Sequence, residues 1–234
     1  PRYVSSPQPR DRPCGYNRVL PLLHVSPSEE LTLLSYGTVE EKRITGEVCV
    51  HHLFFYYSDY ARYGNLIKWN PAIKTAADRE ALMQATVSGR IGVVATDHAP
   101  HLLDEKQGSC LEAASGGPLV QHSLQVMLEK SLQGAISLET VVERMCHAPA
   151  KLFGIERRGF IRPGYYADMV WVDPAKPYTV THANVVTTCC WSAFLHHNFT
   201  VTPHTNFFNL SVAQSHGNAA HPSVSSLVWT RSRT

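Results

Sequence analysis

Ile91-Gly-Val-Val-Ala95-Thr-Asp-His-Ala-Pro-His101 is the stretch on which the fold turns. Its first five residues carry no polar side chain, as a parallel strand covered by helices on both faces requires. Upstream, Thr75-Ala-Ala-Asp78 opens a predicted helix through about Ser88, with Thr75 placed to cap it and Gly89 to end it. Further upstream, Leu66-Ile-Lys-Trp-Asn70 reads as a strand closed by Pro71, Ile44 to Leu53 as another, and Leu20 to Val25 as a third. Between the last two, Ser28 to Leu34 reads as a short helix with Ser28 as N-cap and acids in its first turn. Downstream, helices are expected over about 118–132 and 138–146. Strands alternating with helices define an α/β protein with a parallel sheet. Four strands are half of a (β/α)8 barrel, which takes roughly 250 residues when whole. The expectation is a partial TIM barrel over residues 20–158, after an irregular segment 1–19.

From Gly159 the texture changes. Gly159 to Gly164 is a turn, and Ala167 to Val172 a strand ending at Asp173-Pro174, so residues 159–194 read as part of a small β unit. After about Phe194 no periodicity is legible, and residues 195–234 are expected to be irregular. All 19 acidic residues lie at or before Asp173, and the last 61 residues carry none but hold six of the 13 histidines. Loss of acids and of periodicity together is what translation in a wrong frame produces.

Composition bounds the function classes. With 44% hydrophobic and 17% charged residues, the chain has the make-up of a globular core. A formal net charge of +2 argues against a dedicated nucleic-acid surface. No apolar run approaches the ~18 residues of a membrane span, and Pro1 to Pro7 lead into no apolar signal segment. Cys14, Cys49, Cys110, Cys146, Cys189 and Cys190 form no C-x-x-C pair, so a reducing cytoplasm is the expected compartment.

The chemistry gathers at predicted strand ends. Asp97, just past the Ile91–Ala95 strand, stands where a barrel enzyme keeps its catalytic groups. A carboxylate there can bind a metal through one oxygen and handle a proton with the other. His98 and His101 follow on the loop. Cys49-Val-His-His-Leu53 ends another strand, and strand alternation lets only one of His51 and His52 look into a site. His24 lies toward the end of a third strand. Imidazole and carboxylate at successive strand ends suit zinc. Asn70, before Pro71, offers an amide to a polar ring, and Ser115-Gly116-Gly117-Pro118 exposes backbone groups to a ligand. The scattered histidines His182, His196, His197, His204, His216 and His221 are not expected to bind metal.

Four motifs, Ile67-Lys-Trp-Asn-Pro-Ala-Ile-Lys74, Asp78-Arg-Glu-Ala-Leu82, Ala95 to His101 with Glu105-Lys106, and Gly164 to Val170, occur in one order. In them the chain resembles dihydroorotase of the amidohydrolase superfamily, in its long bacterial form, over roughly residues 20–194. The resemblance implies that the barrel part corresponds to about strands 5–8 and that residues 159–194 are a fragment of a β-sandwich. It implies that His24 and His51 are zinc ligands and that Asp97 both binds metal and shuttles the proton. Asn70 and His101 would hold the substrate ring and its carboxylate, and Ser115 and Gly116 would contact it through backbone. His101 favours dihydroorotase over allantoinase or hydantoinase. The implied substrates are dihydroorotate and carbamoyl-aspartate, small molecules of pyrimidine synthesis, and the implied partners a second copy or aspartate transcarbamoylase.

The sequence also departs from that family. It holds no His-x-His pair anywhere, no counterpart of the fourth-strand bridging carboxylate or carboxylated lysine, and Ala193 where the family has proline. Two zinc ions occupy the family's complete site, and these residues supply part of it. The expectation is a truncated enzyme, inactive alone. The alternatives are a non-catalytic partner subunit or a related cyclic amidase.

Overall fold

The computed structural model describes residues 19–204. Its centre is a parallel sheet of three strands, β1 (Leu20–Leu22), β2 (Ile44–Cys49) and β3 (Ile91–Ala95), in the order β1-β2-β3. β1 pairs with β2 from Leu20 opposite Ile44 to Leu22 opposite Gly46. β2 pairs with β3 through Cys49 opposite Ala95, with a register shift between Gly46 and Glu47. Parallel pairing forces long crossovers. The one between β2 and β3 contains α1 (Val50–Phe54), α2 (Tyr60–Tyr63) and α3 (Ala76–Val87). After β3 come α4 (Val120–Leu132), α5 (Leu138–Val142), a π turn over Glu143–His147 and α6 (Ala148–Leu152). The helix expected over 138–146 is thus the first part of a longer helical run.

Apolar side chains from the sheet and its cover form one main core. Val25, Val48, Val50, Leu53, Ile67, Ile91, Leu119, Val126 and Met127 are all buried in it. Four aromatics pack together in it: Phe55 stacks at 5.4 Å on Phe194, whose ring also meets Phe54 and Phe199 edge-on or tilted. Such ring pairs add about 0.5–1.5 kcal/mol each beyond their area. Among the described residues no helix is long and apolar enough to cross a membrane.

Four expectations need correction. Leu66 to Asn70 is not a strand: Gly64–Ile67 is a 3-10 turn, and β2 pairs directly with β3. The reason lies in where its backbone groups go. The Lys68 carbonyl accepts from Gly116 N at 2.9 Å and from the Lys106 ammonium at 3.2 Å, so loop partners replace a neighbouring strand. Pro71 offers no donor at all. The sheet therefore shows three of the four strands read from the sequence. Second, β2 stops at Cys49, and both His51 and His52 fall in α1, where strand alternation no longer separates them. Third, Ser28 does not cap. Pro27 holds that position before the 3-10 turn Ser28–Leu33, and Ser28 N instead donates to Asp78 Oδ1 at 2.9 Å.

The fourth correction concerns the chain beyond Phe194. β6 (Asn198–Phe199) pairs antiparallel with β5 (Tyr178–Thr179), and β7 (Thr202–His204) with β4 (Trp171–Asp173). Periodicity is invisible in strands of two or three residues, too short to show an alternation. Segments 1–18 and 205–234, read from sequence as irregular, lie outside the described residues.

Candidate metal and substrate site

Three predicted ligands sit where the parallel strands end. His24 lies two residues past β1 and Asp97 two residues past β3, and their side chains face each other, Nε2 to Oδ1, at 3.6 Å. Both have left-handed backbone, with φ of 56° and 46°. Non-glycine residues there carry strain of order 1–3 kcal/mol, and such strain concentrates at functional sites. Here it turns both side chains back over the strand ends toward one point.

Sequence reading missed the next layer. Glu47 and Cys49 stand two apart on β2 and share a face. Glu47 Oε1 lies 3.0 Å from His24 Nδ1, and Cys49 Sγ lies 3.0 Å from the same nitrogen. A charged residue beside the otherwise apolar run Val48-Cys-Val was the available signal. Glu47 sets the electrostatics of this corner. Its carboxylate raises the His24 pKa, against the opposing effect of burial and with help from Asp97. Burial raises the Asp97 carboxyl, with Glu47 adding to the shift and His24 opposing it. Burial, with Glu47 and Asp97, pushes the Cys49 thiol far up.

His51 is fully buried, and neither ring nitrogen makes a hydrogen bond of good geometry. Burial, reinforced by His52 and His24 and only weakly opposed by the Thr96 backbone, holds its pKa well down. Its ring stacks on Trp69 at 4.5 Å and 12°. His52 is also buried, donates from Nε2 to Pro71 O over 3.1 Å, and is pushed down to about 4 by desolvation. A buried imidazole with unpaired nitrogens costs about 1–3 kcal/mol, a deficit a bound ligand would remove. The ligand atoms of His24, Cys49 and Asp97 lie within 4.8 Å of one another, as do those of Cys49, His51 and His52. Neutral imidazole, carboxylate and thiol match zinc, so the residues present fit that ion.

Of the predicted substrate residues, His101 and Ser115 meet each other, and Trp69, beside Asn70 in sequence, stacks on His51 and faces Gly117. Asn70 is exposed and joined to Pro71 by a cis peptide. His101 Nε2 meets Ser115 O at 3.2 Å, and its Nδ1 lies 3.5 Å from Glu105 Oε2. Gly116 has φ of 129°, and a Cβ there would run into Ala99, so only glycine lets these two loops touch. Gly117 faces Trp69 and Trp191, where an added Cβ would meet ring carbons at 3.1 and 3.2 Å. Lys106, 2% exposed, donates to Ala114 O at 2.8 Å, to Gly116 O at 2.7 Å and to Lys68 O at 3.2 Å. It pins the Ser115 loop to the segment carrying Asn70. His98 plays a structural part instead. Its Nδ1 accepts from Leu119 N at 3.0 Å and Val120 N at 3.3 Å, satisfying the start of α4.

The model of the amidohydrolase family matches residues 37–212. The chain is 38% identical to the dihydroorotase of Halobacterium salinarum over 153 residues, 65% of this chain and 36% of that protein. It is 34% identical to the dihydroorotase of Pyrococcus furiosus over 173 residues, 74% of this chain and 39% of that one. It thus spans little more than a third of these curated relatives. Among solved structures, the L-hydantoinase (dihydropyrimidinase) of Arthrobacter aurescens superposes with a TM-score of 0.69 at 26% identity, over 78% of this chain and 42% of the other. The facing His24 and Asp97 at strand ends, and a family match over three quarters of the residues, lead to one conclusion: this chain belongs to the amidohydrolase family, as a dihydroorotase-like member.

Proposed function

We propose that the chain carries the C-terminal half of a zinc-dependent dihydroorotase, acting on the ring amide of dihydroorotate and, in reverse, closing carbamoyl-aspartate. The observation that carries this reading is the 3.6 Å approach of His24 and Asp97 across the strand ends, both in strained left-handed backbone. His24, His51 and Asp97 are the residues that would hold metal. The chemistry zinc supplies in such a site is stabilisation of charge at the carbonyl oxygen and acidification of water. Asp97 would take the proton of the attacking water and return it to the leaving ring nitrogen. A carboxyl whose pKa burial has raised is better suited to that exchange near neutrality. Glu47 holds the His24 ring in orientation, as a carboxylate behind a metal-binding imidazole does. Asn70 and His101 would hold the ring and its carboxylate, with Ser115 and Gly116 offering backbone groups beside them.

The architecture that goes with this function is a partial (β/α)8 barrel over residues 20–158 and a β-sandwich fragment from residue 159, in a cytoplasmic enzyme. The test is to join the chain to the N-terminal half of the Halobacterium salinarum dihydroorotase and assay dihydroorotate hydrolysis with zinc. Turnover that D97N lowers by about 10³-fold or more supports the proposal, a loss on the scale of removing a proton-transfer group. Turnover of hydantoin or dihydrouracil without dihydroorotate would move the substrate to the related cyclic amidases, which the hydantoinase likeness favours. A correctly folded hybrid that hydrolyses none of them would favour a non-catalytic subunit, bound to aspartate transcarbamoylase or to a second copy.

A further inference from the structure

Cys49 belongs to both groups of converging donor atoms. Its sulfur lies 3.0 Å from His24 Nδ1, while the other nitrogen of that ring faces Asp97. On its other side stand His51 and His52, both buried, with three of their four ring nitrogens lacking a hydrogen-bond partner. A cysteine that only fills a core meets apolar neighbours and behaves as a small hydrophobe. This one is fully buried yet ringed by imidazoles and carboxylates. That environment has no packing rationale and an obvious coordination one.

We propose that Cys49 is a metal ligand, its sulfur joining His24 and Asp97 to hold a thiophilic divalent cation, with His51 alongside. The proposal rests on the zinc reading above and adds to it a sulfur donor. Zinc bonds of about 2.3 Å to sulfur and 2.0–2.1 Å to nitrogen place tetrahedral ligand atoms about 3.3–3.6 Å apart. The His24–Asp97 separation of 3.6 Å already meets that spacing, and the three donor atoms lie within 4.8 Å of each other, so small side-chain movements complete the set. On binding, the thiol releases its proton to solvent and the sulfur–metal bond forms, with no change of oxidation state. A thiolate is a stronger zinc donor than a carboxylate, so these residues would hold zinc in the 234-residue chain by itself.

X-ray absorption at the zinc edge of the 234-residue chain, loaded with zinc alone, tests this directly. The expected result is one sulfur neighbour at about 2.3 Å among nitrogen and oxygen neighbours. C49S should lose the sulfur neighbour and at least about tenfold in zinc affinity, as much as losing even an outer-shell partner costs. C110S and C190S, at exposed positions, should change neither. Because C49S alters a packed site, the unaltered chain gives a second readout. With cobalt(II) in place of zinc, it should show near-ultraviolet thiolate-to-metal charge transfer. Zinc bound by nitrogen and oxygen alone would overturn the Cys49 assignment and leave the zinc reading standing. A sulfur neighbour that persists in C49S would also overturn it. No zinc binding by the chain alone would overturn the Cys49 assignment, and the zinc reading would then stand or fall on zinc-dependent turnover by the hybrid.

Discussion

Individual residues in this chain divide into those whose chemistry faces a site and those that only look alike. His122 is 1% exposed, on α4, with Nδ1 3.2 Å from Ser192 Oγ and its ring stacked on Phe199 at 6.2 Å. Nothing there suggests catalysis. Desolvation, with a smaller push from His197, lowers its pKa to about 4, against 6.5 for an exposed imidazole. A histidine held neutral in the fold takes up its proton more readily when unfolded. Its contribution is therefore full above pH 6.5 and is lost as pH falls from 6.5 toward 4. Over that window the loss comes to about 3 kcal/mol. H122Q keeps a hydrogen-bonding side chain without the titration. Urea unfolding of the variant should show a flatter acid limb between pH 6.5 and 4 than the parent. An unchanged limb would mean the acid sensitivity arises elsewhere, His52 being the next candidate.

At the scale of elements, α3 shows how local sequence fixes a boundary and then reaches beyond it. Thr75 Oγ1 accepts from Asp78 N at 3.2 Å, and Asp78 Oδ2 accepts from Thr75 N at 3.1 Å, a reciprocal capping box. Asp78 Oδ1 also takes Ser28 N at 2.9 Å, so the same carboxylate anchors the 3-10 turn that follows β1. T75A is expected to cost about 1 kcal/mol, the usual value of such a cap. D78A should cost more, because it frees two elements at once. Equal losses in denaturant midpoint for the two variants would show that the Ser28 contact adds nothing. The cap was legible in the sequence because capping is a three-residue interaction. The Ser28 link was not, since fifty residues separate its partners.

For the molecule as a whole, the sheet's limits are the main fact. Among the described residues β1 and β3 each pair on one side only. Unpaired strand edges invite pairing with another chain. We expect the 234 residues alone to elute larger than a monomer on size exclusion, and the hybrid with an N-terminal half to elute as a defined species. A monodisperse monomer of the chain alone would overturn this expectation. The same open sheet underlies the expectation that the chain alone does not turn over dihydroorotate. His24, His51 and Asp97 are three ligands, and the sequence holds no His-x-His pair to add to them.

The sequence by itself determined the class of fold, the capped helix α3 and the strand β3 with Asp97 at its end. These are set by local periodicity, by capping residues and by contiguous motifs, all of which lie within about a dozen residues of chain. It also marked His24, His51, Asn70, His101, Ser115 and Gly116 as candidates, while their roles stay proposals. Tertiary structure alone decided that Leu66 to Asn70 leaves the sheet, because Gly116 and Lys106, both distant in the chain, claim the Lys68 carbonyl. It alone placed Glu47 and Cys49 against His24, since a parallel sheet brings together side chains from strands that a crossover keeps far apart in sequence.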